Sequence, residues 1–180
     1  MGARLGHRGP DGEGIFHHPE AAIGLVHARL SIIDLSEAAA QPMSTADGRF
    51  TLTFNGEIYN YRELRRQLES AGERFTSHSD TEVLLRLFVR HGEACVKKLR
   101  GIFVFAVWDD VEGRLFLARD HLGVKPLYYA DLAKGFLFAS ELKAVVLCGD
   151  VARQIDPVAV ADHLGFLWTA GEATMLRAVR

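Results

Sequence analysis

Apolar residues recur at two spacings along the chain. In residues 13–18 and 21–29 they alternate with polar ones, on either side of His18-Pro19-Glu20, the pattern of two neighbouring strands. Residues 41–47 read as a loop, and Asp47-Gly48 turns into a further strand over 49–54. From residue 61 the period lengthens. Tyr61, Leu64, Leu68 and Ala71 mark one face of a helix that stops at Gly72, with Asn60 and Glu63 at capping-box spacing. Val83, Leu84, Leu87 and Phe88 mark a second helix, opened by Ser79 with Glu82 three residues on and ended by Gly92. Residues 102–108 are apolar on both faces, so this strand is expected between two layers, closing a hairpin with 114–118. Residues 127–130 and 135–139 form another strand pair, and Ser140 is expected to cap a short helix to Leu147. Asp156-Pro157 opens a helix to about Leu164, while residues 168–180 show no closing element. Antiparallel hairpins with helices inserted between them predict an α+β fold, helix layer on sheet on sheet on helix layer.

Composition narrows the function classes. At 180 residues, 48% hydrophobic and 24% charged, the chain suits a soluble domain able to bury a core without metal or disulfides. A formal charge of −2 gives no reason to expect nucleic acid or an anionic membrane as a partner. The two cysteines, Cys95 and Cys148, lack C-x-x-C spacing and the eight histidines form no H-E-x-x-H cluster, so no metal site is expected. The N-terminus has no apolar signal-peptide core, and Gly6 stands where a myristoylation motif wants Ser or Thr. The longest strongly apolar run, 102–108, is too short for a bilayer. A reducing, cytoplasmic setting is expected.

One stretch carries chemistry. Residues 54–61 read F-N-G-E-I-Y-N-Y. They set a side-chain amide (Asn55), a backbone amide unshielded by a Cβ (Gly56) and a carboxylate (Glu57) on what reads as one short turn between strand and helix. Donors held rigidly in this way can face an anionic oxygen, the requirement of an oxyanion hole. Alone, Asn-Gly is simply a favourable turn pair. Four further motifs stand out: H-R-G-P-D at 7–11, R-L-S-I-I-D at 29–34, S-D-T-E at 79–82 and A-R-D-H-L-G-V-K-P at 118–126. Singly, each has a structural explanation: a helix-ending loop, an arginine capping a strand, Asp80 favouring the positive end of its helix, Arg119 and Asp120 as a surface pair.

Taken in this order, with Q-P-M at 41–43 and F-A-S-E-L-K-A at 138–144, the motifs resemble the glutaminase domain of asparagine synthases over about residues 7–145. That domain is a class II glutamine amidotransferase. The resemblance implies the four-layer αββα N-terminal nucleophile hydrolase fold, with residues 1–150 as the glutaminase domain and 151–180 as a linker and the start of a synthetase domain. It implies that an N-terminal cysteine attacks the glutamine amide carbon while its α-amino group shuttles the proton. The oxyanion would be held by the Asn55 side-chain amide and the Gly56 N–H. Arg29 would fork onto the substrate α-carboxylate and Asp80, helped by Glu57, would receive the α-ammonium. Leu30, Ser31, Ile32 and Ile33 would complete the substrate-binding stretch. Released ammonia would pass to a synthetase domain or subunit that activates aspartate with ATP and magnesium. No cofactor is expected in this chain, and a homodimer stays open.

The sequence also departs from that pattern. The nucleophilic cysteine, expected roughly twenty residues before His7, is absent, and the first strand of the fold with it; Met1 to Leu5 resemble the end of the helix that would follow. Neither Cys95 nor Cys148 carries a free α-amino group, and Cys95 lies past a helix C-terminus, where the dipole would raise its pKa. No S-G-G-x-D-S or G-x-x-x-x-G-K-[ST] loop occurs, so activation of aspartate is not expected. The expectation is a glutamine pocket retained in a chain inactive alone, marginal in stability or self-associating through an exposed strand edge. Two alternatives stay open: a non-catalytic glutamine-binding or subunit-pairing module, and the amidotransferase domain of a related β-lactam or antibiotic synthetase.

Overall fold

The computed structural model describes Gly2, residues 5–169 and residues 171–180, so most of the helix end expected over residues 1–5 lies outside the described residues. Two compact units form, one over residues 6–125 and one over residues 126–180.

The first unit holds two antiparallel sheets. Strands β1 (Gly12–His18) and β2 (Ile23–Arg29) make a hairpin with Gly12 opposite Arg29 and His18 opposite Ile23. Strands β3 (Met43–Ser44), β4 (Phe50–Ile58), β5 (Gly101–Asp109) and β6 (Arg114–Arg119) form a four-stranded sheet in chain order. Helices α1 (Tyr61–Ser70) and α2 (Asp80–His91) cover one face. There Leu52, Phe54 and Ile58 of β4 and Phe103, Phe105 and Val107 of β5 meet Leu64, Leu68, Val83, Leu84, Leu87 and Phe88 in one core. The other face of β5 is buried too, at Val104, Ala106 and Trp108, and β2 packs across β4 on that side. Strand β5 therefore lies between two layers, as its two-sided apolar pattern requires.

Two local expectations are corrected. Residues 55–57 are not a turn: β4 runs straight through them to Ile58. Gly56 stands opposite Phe103 and Gly101 opposite Ile58, at φ +155° and +159°. A Cβ on Gly56 would collide with the Ile102 carbonyl oxygen, and one on Gly101 with that of Glu57. Close approach of two strands, not a turn, is what demands glycine here. The capping box at α1 does not form either. Asn60 spends its side chain across the sheet, Nδ2 donating to Lys98 O at 3.0 Å and Oδ1 accepting from Arg100 N at 3.0 Å, which anchors the entry to β5. Ser79 does cap α2, its Oγ accepting from Glu82 N at 3.2 Å.

In the second unit, β7 (Tyr128–Leu132) and β8 (Gly135–Ala139) pair antiparallel, followed by α3 (Leu142–Val146) and α4 (Pro157–Phe166). Glu141 rather than Ser140 precedes α3 as its cap residue. Asp156 caps α4 as predicted, Oδ1 accepting from Val158 N at 3.0 Å and Ala159 N at 3.4 Å. The tail does close this unit. Val179 is fully buried, and Tyr129 and Arg180 exchange both backbone hydrogen bonds at 2.7 and 2.8 Å. One such pairing has no periodicity, so no sequence pattern announces it.

Candidate active site

Strand parity decides which backbone groups of β4 are available. Phe103 exchanges hydrogen bonds with Asp120, on the β6 side: its N–H reaches Asp120 Oδ2 at 3.2 Å and its carbonyl accepts from Asp120 N at 2.7 Å. Gly56, opposite Phe103, therefore turns its own N–H away from β5. The N–H groups of Phe54 and Ile58 point the same way, and both are taken. Phe54 N donates to Gln41 Oε1 at 2.6 Å and Ile58 N to Asp80 Oδ2 at 3.0 Å. No side chain among the described residues accepts from Gly56. Next to it the half-buried Asn55 side-chain amide also has no protein partner among those residues.

Asp80 opens α2 and is buried at 5% exposure, yet no cation of the protein pairs with it among the described residues. Burial, reinforced by the nearby charge of Glu57, holds its carboxyl above the ordinary value despite the Ile58 hydrogen bond. Glu57 itself is exposed. Among the described residues no cation offsets the Asp80 carboxylate, which lies beside an amide edge with a free donor.

The segment after β2 is tied to the same place by hydrogen bonds. Arg29 ends β2, and its Nη2 donates to Asp34 O at 2.9 Å and Ser36 O at 2.7 Å. The other donors of its guanidinium have no acceptor among the described residues. Asp34 accepts from Ser36 N at 2.8 Å and from His78 N at 2.6 Å, which joins the R-L-S-I-I-D loop to the residues just before Asp80. Hydrogen bonds from Ser36 and His78 hold the Asp34 carboxyl down at about 2. Asp11 of H-R-G-P-D accepts from Ser31 N at 2.8 Å. Leu30 and Ile32 are exposed at 54% and 77%, so those side chains stand in solvent, while Ile33 is half-buried.

Behind Arg29, on the same face of β2, His27 lies with Nδ1 3.5 Å from Thr53 Oγ1. Burial, with the Arg29 charge, lowers its imidazole to about 4, so it is neutral near pH 7. Arg119 and Asp120 are not a surface pair. Arg119 donates to Lys125 O and Gly123 O, both at 2.6 Å, and the buried Asp120 accepts from Phe103, Leu122, Val124 and Lys125, so together they shape the loop after β6. Cys95 is fully buried, and burial rather than a helix end pushes its thiol up to about 12. Cys148 is half-buried, with Sγ directed at Ala144 O.

Hydrogen bonds thus join Asp80 to the end of β4 that carries Asn55, Gly56 and Glu57, and join the loop that Arg29 holds to His78, two residues before Asp80. The roles of Gln41, Asp34, Asp11 and Thr81 were not assigned from sequence, although Q-P-M, R-L-S-I-I-D and H-R-G-P-D contain the first three. Their contacts with one another and with Ser31, Phe54 and His78 span 13 to 44 residues of chain, and no local spacing reports them.

The glutamine amidotransferase domain family matches residues 1–180, and the chain belongs to it. The particular resemblance is to asparagine synthetases. The chain is 41% identical over 176 residues to asparagine synthetase (glutamine-hydrolyzing) 1 of Bacillus subtilis (strain 168), covering 97% of this chain and 27% of that protein. It is also 41% identical over 163 residues to asparagine synthetase (glutamine-hydrolyzing) 3 of the same organism, covering 89% and 26%. The chain thus spans about a quarter of the length of these relatives. Among solved structures, the B. subtilis glutamine phosphoribosylpyrophosphate amidotransferase, complexed with ADP and GMP, matches 74% of this chain and 31% of its own at a TM-score of 0.61 and 27% identity. The antiparallel α+β architecture is that of the N-terminal nucleophile hydrolase fold.

Proposed function

We propose that this chain binds L-glutamine at the open edge of β4 and forms the glutamine-binding and oxyanion-holding part of an ammonia-producing site. Asp80 carries the reading: its buried carboxylate, near Glu57, has no cation partner among the described residues, and the positive charge of a ligand would offset that negative charge. The substrate α-ammonium has that charge. The uncommitted guanidinium donors of Arg29 match an α-carboxylate. The free Gly56 N–H and the Asn55 amide match the side-chain carbonyl oxygen and the oxyanion that develops from it. Losing one such donor raises a barrier by about 3–4 kcal/mol.

Hydrolysis also needs an activated thiol, and neither Cys95, inert through burial, nor Cys148 is placed to supply it. The ammonia would be consumed by a synthetase domain or subunit that amidates aspartate in an ATP-dependent step, the activity the relatives' names point to. Among the described residues no helix is long and apolar enough to cross a membrane. Both cysteines are free thiols, which accords with a reducing, cytoplasmic setting. Calorimetric titration with L-glutamine, with ammonia release followed in parallel, tests the reading. Saturable binding that Arg29→Ala weakens by at least about tenfold is the expected result; no heat of binding at millimolar glutamine would overturn it.

A further inference from the structure

Gln41 has no role in the reading above beyond accepting one hydrogen bond, yet its position is unusual. Strand β3 pairs with β4 only through Met43 opposite Leu52 and Ser44 opposite Thr51. Where that ladder stops, the Gln41 side chain takes over, Oε1 accepting from Phe54 N at 2.6 Å. Its other end, Nε2, donates to Thr81 Oγ1 at 3.3 Å. Thr81 is buried and adjoins Asp80, whose Oδ2 returns to the strand at Ile58 N, 3.0 Å away. A closed bracket results, running from Phe54 through Gln41, Thr81 and Asp80 to Ile58. Gly56 lies at its centre.

We propose that Gln41 is a positioning residue for the Gly56 amide and the Asp80 carboxylate; the inference rests on the glutamine reading of this site. By occupying the amide on one side of Gly56, as Asp80 occupies that on the other, Gln41 leaves a single donor on this stretch of edge. By reaching Thr81 it also sets the separation between β4 and the start of α2. The oxyanion donor and the ammonium-binding carboxylate then keep a constant spacing. The planar amide of Gln41 supplies both the acceptor and the donor this bracket uses, and the thioether of Met supplies no donor.

Titration of the whole chain with L-glutamine, alongside thermal melts, tests this with Gln41→Met, Thr81→Val, Thr81→Ser and the Gln41→Met/Thr81→Val pair. Gln41→Met is expected to weaken glutamine binding about tenfold and Thr81→Val about threefold. Thr81→Ser, which keeps the hydroxyl, should bind like the unmodified chain, and the double variant should be no weaker than Gln41→Met alone. Should Gln41→Met fail to fold, the Thr81→Val and Thr81→Ser contrast decides alone. If the unmodified chain binds glutamine and these variants lose only melting temperature, Gln41 is merely structural and the proposal is overturned. If the unmodified chain binds no glutamine, the reading of the site fails and the positioning role falls with it.

Discussion

Strand β4 has charged and polar groups at both ends, arranged in opposite ways. At its start, Arg49 forks onto Asp109 at 3.1 and 3.0 Å and lies over the Phe50 ring, while Arg114 meets Glu93 at 2.7 Å. These pairs rim a cavity of about 340 Å³ whose walls include Phe50, Phe88, Val107 and Phe116. Each guanidinium there already has its carboxylate. At the far end, among the described residues, Asp80 is buried without a cation and the Gly56 N–H has no acceptor, and on β2 part of the Arg29 guanidinium has no acceptor among those residues either. The charges around that cavity are thus already matched, whereas the far end keeps hydrogen-bonding and charge capacity that its described neighbours leave unmatched. Buried polar groups are nearly always paired with something, which is why the ligand is proposed there.

Substitutions should separate the two ends. The largest effect is expected for Asp80→Asn, which keeps an acceptor for Ile58 N but removes the charge. Glutamine affinity should fall about a hundredfold, or ~3 kcal/mol, while the melting temperature near pH 7 stays level or rises, because an unpaired buried charge is gone. A parallel loss of both in calorimetry and melts would make Asp80 a fold-holding residue instead.

Gly56→Ala comes next. The added Cβ meets the Ile102 carbonyl oxygen at a positive φ, so urea unfolding should show a loss of about 2–3 kcal/mol. Arg49→Met, at the other end, should lower the melting temperature slightly and leave glutamine titrations unchanged, since that pair is half-exposed and screened.

A further contrast lies in the pH dependence of stability without ligand. Between pH 6.5 and about 4 the unfolded chain protonates at His27 while the folded one resists, so folding weakens on acidification. Asp80, raised in the folded state, acts the other way, gaining stability as pH falls through its folded value. Urea titrations across that range should therefore show a steeper loss in Asp80→Asn. Below the ordinary aspartate range, Asp34 adds a further loss as pH falls towards about 2.

Much of this architecture was legible in the chain. The helix stops at Gly72 and Gly92, the Ser79 and Asp156 caps and the doubly apolar β5 all followed from local pattern, because period and capping chemistry operate within a few residues. Two of the misreadings share one cause. Asn-Gly favours a turn locally, but β5 and its Gly101 hold residues 55–57 extended; Asn60 and Glu63 have box spacing, but the carbonyl of Lys98 and the amide of Arg100 compete successfully for the Asn60 side chain. Partners about forty residues away overrode the nearest neighbours.

By itself the sequence determined the residue types of the site and the order in which the chain visits them: an arginine at 29, an amide pair at 55–56 and carboxylates at 57 and 80. Only the tertiary structure decided which of their groups remain free. Whether an amide or a charge is available depends on what it already bonds, and here those partners, Gln41, Asp34 and Asp120, arrive from distant stretches of chain through strand pairing and loop closure.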